Sequence, residues 1–305
     1  MIRPNETEHY GSVRTSIEEV YRIYKPLLFP VAYRMLGSVS DAEDIIQDVF
    51  VSLPLQDLEQ IDHLKNYLVK MVVNRCLNDL KSARKRREAY VGPWLPEPLF
   101  TGIAINEPLE RVVQEEDLTY AFLVLLQELS PLERAVFVLR EVLGYEYHET
   151  AEMLHKTEAN CRKIYSRAKG KLKPYAAERR DELKDTSHLV NTFLHAVQTG
   201  SFDAFIRLLT DDAVLMSDGG GKRRAALRPI LGKHRIRAFW EGLLSKGALA
   251  GEWVPIYLNG QPGAALFVDG SLSKTICFAK QNCHLAHRMF IILNPDKLKA
   301  LPSRL

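Results

Sequence analysis

The sequence predicts a multi-domain chain: two all-α domains, the second closing on a helix-turn-helix, followed by an α+β domain. Three observations predict it. Helical periodicity dominates from residue 17 to residue 172. A Pro/Gly-rich stretch, 90–108, interrupts it, and a charged segment opening at Pro174 ends it. Beyond residue 187, two helical runs give way to alternating strand runs separated by Asn259-Gly260 and Asp269-Gly270, which are hairpin signals. The expected boundaries are 1–89 and 116–175 for the helical domains, 90–115 and 176–187 for linkers, and 188–305 for an α+β domain with an antiparallel curved sheet.

Length and composition fit this division. With 305 residues, 46% of them apolar, the chain can bury more than one core, and its net charge of +3 makes any basic surface local. No run of about 18 apolar residues exists, and the polar N-terminus lacks a signal-peptide core. A cytoplasmic protein without membrane contact is expected. Cys76, Cys161, Cys277 and Cys283 form no C-x-x-C pair. Cys277 and Cys283 precede His284 and His287, but strand alternation around Cys277 favours a buried small side chain over a metal ligand. No metal and no cofactor are expected.

The stretch Tyr145–Leu172 carries the sharpest signal. On a helical wheel, Cys161, Ile164, Tyr165, Ala168 and Leu172 fall within about 100° of arc. Asn160, Arg162, Lys163, Ser166, Arg167, Lys169 and Lys171 lie opposite. Before it, Tyr147, Ala151 and Leu154 recur at i, i+4, i+7, and His155-Lys156-Thr157 joins the two helices, with Thr157 as the expected N-cap. A narrow stripe holds such a helix to its domain while the polar face is free to enter a major groove.

Residues 41–53 give a second amphipathic helix starting near Ser40. Ile45, Ile46, Val49, Phe50 and Leu53 span about 140°, opposite Asp44, Gln47 and Asp48. That acidic face suits a basic partner. The helix from His63 to Arg87 ends in a cluster of Lys81, Arg84, Lys85, Arg86 and Arg87, suited to a phosphate backbone. Phe50, Tyr67 and Asn74 are candidates for contact with unstacked bases. Ser130-Pro131-Leu132-Glu133 reads as a capped helix start with proline at its first position. The linker is too apolar to float free, with Trp94, Leu95, Leu99 and Phe100 among its prolines. Its prolines argue against a regular helix or central strand, and it is expected to dock.

These residues resemble a known family. Asp41–Phe50, DAEDIIQDVF, resembles the second conserved region of extracytoplasmic-function sigma factors of bacterial RNA polymerase, and Leu129–Leu172 resembles their fourth region. The resemblance implies that Asp44, Gln47 and Asp48 dock on the polymerase β′ subunit, with β also in contact. It implies that the helix carrying Asn74, Lys81, Arg84, Arg86 and Arg87 opens and holds the minus-ten element. Asn160, Arg162, Lys163, Ser166 and Arg167 would read the minus-thirty-five element. His155 stands where the family usually has glycine in the turn, and histidine tolerates a left-handed backbone better than most residues.

The C-terminal part resembles a SnoaL-like, ketosteroid-isomerase-like cone fused to one sigma-factor group. Three motifs carry that resemblance: Trp94-Leu95-Pro96-Glu97-Pro98, Asp218-Gly219-Gly220-Gly221-Lys222 and Asn294-Pro295-Asp296-Lys297-Leu298. It implies regulation of the sigma core in cis. The second and third motifs offer a candidate surface for the apolar linker, with Lys222 or Lys297 expected near Glu97. The three glycines read as a tight loop for close backbone approach rather than a phosphate cradle, since no Walker pattern surrounds them.

Two other function classes are open to these residues. A cone is a candidate site for a small apolar ligand, and Asp212, Asp218 or His234 are its candidate acids and bases. None has a partner at motif spacing, so no enzyme activity and no catalytic residue are expected. A dimeric helix-turn-helix repressor would leave the Asp44 face and the Lys81–Arg87 cluster without a role.

Overall fold

The structure, a computed structural model, describes residues 17–53, 61–103, 119–173, 186–280, 285–299 and 301, with the backbone alone for 83–88. The first unit is three helices, α1 (Ile17–Leu36), α2 (Val39–Val51) and α3 (Leu64–Glu88). Ser38, two residues before the expected start, caps α2: its side chain accepts from the Asp41 N–H. Ala42, Ile46, Val49 and Phe50 are buried on α2; Leu68, Val69, Val72, Val73, Cys76 and Leu80 are buried on α3. Period 3.6 thus places one stripe of each helix in a common core.

The second unit holds α4 (Tyr120–Leu126), α5 (Pro131–Phe137, continued by a π turn over Val138–Val142), α6 (Tyr147–Leu154) and α7 (Glu158–Leu172). Residues 109–118 lie outside the described residues, and α4 follows directly on Thr119, its N-cap. Ser130 and Glu133 form the predicted capping box, and Thr157 accepts from the Asn160 N–H as the cap of α7. His155 takes the left-handed conformation at φ 52°, ψ 50°, which turns the chain between α6 and α7.

These two units do not stand apart. Leu123, Ala135, Val136, Leu139, Met153, Leu154 and Ile164 share one hydrophobic core with α1–α3. Arg134, buried at their junction, donates to the Met35 carbonyl at 2.5 Å and the Leu129 carbonyl at 3.3 Å.

The C-terminal unit packs α8 (Ser187–Thr199), α9 (Asp203–Arg207) and α10 (Lys233–Ser245) on one sheet. Its strands are β1 (Phe100–Ile103), β2 (Leu209–Asp218), β3 (Ile230–Leu231), β4 (Glu252–Leu258), β5 (Gln261–Val268), β6 (Ser271–Lys280) and β7 (Ala286–Ile292), in the order β1-β4-β5-β6-β7-β2-β3, and α11 (Pro295–Leu298) follows. Two features differ from the expectation. The sheet is mixed, because β2 pairs with β7 in parallel. The linker also contributes a strand: β1 adds to the β4 edge with a bulge at Gly102. An edge position is where a proline-flanked segment can still pair.

Inside the cone, Phe193 is in ring contact with Phe205, Trp240, Trp253 and Phe278. Those aromatics belong to the core between the helices and the sheet.

Candidate functional site

On α7 the wheel reading holds, with Tyr165 of the stripe half-buried. Cys161, Ile164, Ala168 and Leu172 are buried, whereas Asn160, Arg162, Lys163, Ser166 and Arg167 are exposed. Glu158 pairs with Arg162 at 2.9 Å, and the Arg162 guanidinium lies 4.4 Å from the Tyr147 ring centroid, so this cation starts from an organised position. Lys163 and Arg167 project from the same exposed face.

On α2, Asp44, Gln47 and Asp48 are all exposed opposite the core. Asp48 meets Arg75 of α3 at 3.7 Å, and Arg75 also donates to Ser52 Oγ at 2.7 Å. On α3, Lys81 is exposed; Arg84, Arg86 and Arg87 lie on a helical backbone but their side chains fall outside the described residues. Asn74 faces neither solvent alone nor a free surface. Its amide donates to the Met153 carbonyl of α6 at 3.2 Å.

The three interdomain motifs converge on one buried carboxylate. Asp218, fully buried at the end of β2, accepts from Tyr90 Oη at 2.6 Å, the Leu95 N–H at 2.9 Å, the Gly220 N–H at 3.0 Å and Lys297 Nζ at 2.6 Å. Lys297 also donates to the Leu95 carbonyl and lies 4.1 Å from the Trp94 ring centroid. A buried charge survives when it is paired and its remaining lone pairs are filled, and here all three motifs supply the filling. Asn294 accepts from the Asp296 N–H to cap α11 and donates to Tyr90 Oη at 2.8 Å. Pro295 starts that helix and Leu298 is buried in the core shared by Leu95 and Tyr120. Burial and the neighbouring Asp218 push the Tyr90 phenol up, so it stays a donor.

The glycines are required by close approach. A Cβ on Gly219 would fall 2.1 Å from the Arg223 carbonyl oxygen, and one on Gly220, at φ 59°, 2.3 Å from the Asn294 amide nitrogen. Gly221 repeats the positive φ at 71°.

Lys297 lies near Glu97, as expected, the two lining one cavity, but the ion pairs run elsewhere: Lys222 pairs with Asp296, and Lys297 with Asp218. The Glu97 carboxylate instead accepts from Ser38 Oγ at 2.8 Å, the Ser40 N–H at 3.2 Å and the Val39 N–H. It sits at the positive end of α2, where unsatisfied N–H groups and the helix dipole favour an anion. Its own N–H donates to the Gly37 carbonyl at 2.8 Å, and Pro96 offers its carbonyl to Tyr120 Oη at 2.7 Å.

Sequence reasoning missed the polar ties around this point. Tyr33 of α1 donates to the Glu97 carbonyl at 2.5 Å and accepts from the Asn259 amide at 2.9 Å. Asn259, at φ 52° in the predicted Asn-Gly hairpin, also exchanges two bonds with Leu99. The hairpin signal located the turn, but nothing in its spacing pointed to a tyrosine 226 residues away.

The candidate acids and bases of the cone are spoken for or exposed. Asp218 is taken up by Tyr90, Leu95, Gly220 and Lys297, His234 is exposed, and Asp212 faces His287 at 3.5 Å from the surface. Cys277 is buried, and burial pushes its thiol up; Cys283 and His284 lie outside the described residues. Among the described residues, no helix is long and apolar enough to cross a membrane.

Comparison with known proteins agrees with the two helical units. The profile of Sigma-70 region 2 matches residues 20–86, and that of Sigma-70, region 4, matches residues 119–172. The chain is 32% identical to the ECF RNA polymerase sigma factor SigJ of Mycobacterium tuberculosis (strain ATCC 25618 / H37Rv), over 91% of this chain and 91% of that protein. It is 27% identical to the probable ECF RNA polymerase sigma factor SigI of M. tuberculosis (strain CDC 1551 / Oshkosh), over 95% and 97%. The crystal structure of M. tuberculosis extracytoplasmic function sigma factor SigJ superposes with a TM-score of 0.75 at 29% identity, covering 94% of this chain and 100% of that one. The C-terminal α+β unit is the SnoaL-like domain of that architecture. The chain belongs to the extracytoplasmic-function sigma factors of RNA polymerase, of the SigJ type, and its function is promoter recognition.

Proposed function

We propose that the SnoaL-like domain regulates this sigma factor in cis, by holding regions 2 and 4 in an arrangement they must leave to occupy a promoter. The observation that carries the reading is the Asn74–Met153 hydrogen bond within a core shared by both regions. The minus-ten and minus-thirty-five elements lie about 25 base pairs apart, roughly 85 Å at about 3.4 Å per base pair. Regions 2 and 4 packed on one shared core would have to separate to sit on two elements that far apart.

In this account Asn160, Arg162, Lys163, Ser166 and Arg167 read the minus-thirty-five element, and Asn74 with Lys81, Arg84, Arg86 and Arg87 serves the minus-ten element. Asp44, Gln47 and Asp48 dock on core polymerase. The tether Trp94–Glu97 transmits the hold, because it is tied to region 2 through Glu97 and to the cone through Asp218 and Lys297. The domain boundaries proposed are those read from the sequence, 1–89, 116–175 and 188–305. The protein works in the cytoplasm, where its polymerase is.

Spin labels at the exposed positions Arg22 of α1 and Glu152 of α6 test the reading by electron-resonance distance measurement. One short distance is expected in the free protein and a longer one with core polymerase and promoter. An unchanged short distance in the promoter complex would remove the proposal.

A further inference from the structure

We propose that the arginine-rich loop Lys222–Arg228 of the SnoaL-like domain is a DNA phosphate-backbone contact, continuing the basic end of α3 into one ridge. From Gly219 to Trp240 the chain carries seven Lys or Arg and no Asp or Glu. Three of the seven are neutralised: Lys222 by Asp296, Lys233 by Asp211, and Arg237 by Asp203 and Glu241. Arg223, Arg224 and Arg228, with Arg235 further on, are exposed and make no ion pair with any other described residue. A run of solvated charge is ordinary on a protein surface when acids are interleaved with it in sequence; between Lys222 and Arg228 none are.

The backbone beneath these arginines is fixed. The Lys222 and Arg223 N–H groups both donate to the Gly219 carbonyl, and the Ala226 N–H donates to Ser217 Oγ at 2.8 Å. Guanidinium groups projecting from a fixed loop lose less freedom on meeting phosphates, and their planar fork matches phosphate oxygens.

The loop is also placed beside α3. A Cβ on Gly221 would lie 3.3 Å from Val91 Cγ2, and one on Gly92 would lie 3.7 Å from Leu227 Cα. Val91 follows the last residue of α3, Glu88, by three residues, at most about 11 Å of chain. Lys81, Arg84, Lys85, Arg86 and Arg87 occupy the preceding two turns. The loop is therefore touched by the chain directly after the basic end of the α3 backbone, and a duplex, with a phosphate charge every ~1.7 Å of axis, complements two basic segments linked in this way.

This inference rests on the reading of the α3 end as a backbone grip. The test is fluorescence anisotropy of the full-length protein on a labelled duplex of arbitrary sequence, titrated across salt. The variants are R223Q/R224Q/R228Q and, separately, Lys81→Gln. The log–log salt slope of the triple variant is expected to fall by about 2–3, at roughly 0.9 for each phosphate it no longer neutralises, and Lys81→Gln by about 1. A lowered slope for Lys81→Gln with an unchanged slope for the triple variant overturns the loop and leaves the α3 reading standing. Unchanged slopes for both overturn the two together. If the triple variant instead loses affinity for core polymerase while its DNA slope is unchanged, the loop meets an acidic protein surface and the proposal fails.

Discussion

The Lys297 ammonium sits 2.6 Å from the Asp218 carboxylate, with Asp218 fully buried and Lys297 8% exposed. Lysine and aspartate so placed hold together three motifs that are far apart in sequence. Removing one partner strands a buried charge, which costs about 3–5 kcal/mol. Lys297→Met is therefore expected to lower thermal stability by several degrees, and Lys297→Met with Asp218→Asn to recover part of the loss. A single variant as stable as the parent would show that the pair is replaceable by solvent.

Glu97 is the second hinge of the tether. Glu97→Gln keeps its size but weakens the bonds to the start of α2, each charge-assisted bond being worth about 1.5–3 kcal/mol. Faster hydrogen exchange at the Val39 and Ser40 amides is the expected sign, measured by mass spectrometry or NMR. Exchange as slow as in the parent would mean that Ser38 alone caps the helix.

Charge reversal on the exposed acidic face tests partner docking apart from folding. Asp44→Lys should leave stability within about 0.5 kcal/mol, as for surface substitutions away from special contacts. Asp48→Lys also removes the Arg75 pair, an exposed one worth about 0–1 kcal/mol. Both should lose co-purification with core polymerase. Retained association would move the docking surface elsewhere.

The recognition helix makes a graded prediction. Arg162→Ala, Lys163→Ala or Arg167→Ala should each cost about 1–3 kcal/mol of promoter binding where the side chain reads a base edge, and should relax specificity at one position. A side chain on a phosphate weakens all sequences alike and flattens the salt dependence. If none of the three changes promoter-dependent transcription, α7 is not the reader.

The α7 stripe and the α2 face were legible because period 3.6 writes burial directly into sequence: Cys161, Ile164, Ala168 and Leu172 are buried where the wheel puts them. Caps read equally well at Ser130 and Thr157, whose partners stand three residues on. What was not legible is long-range. The strand Phe100–Ile103 is too short for its own alternation to speak, and it exists because the β4 edge, Ile256–Leu258, and the Asn259-Gly260 turn bond to it and to Leu99. The parallel pairing of β2 with β7 joins segments that no turn connects. The exchange of partners between Glu97 and Asp218 followed the same logic: each acid sits where N–H groups are unfilled, and local sequence does not record which helix end will lie opposite.

The measurement that bears most directly on control in cis is promoter-dependent run-off transcription with core polymerase, comparing the full-length protein with Trp94→Ala. Trp94 stacks against Lys297 beside the buried Asp218, so its loss loosens the tether without touching α7 or the exposed face of α2. The account predicts output above the parent, within the roughly 5- to 150-fold range that a coupling of about 1–3 kcal/mol allows. Output equal to or below the parent, from a variant that remains folded, would contradict it.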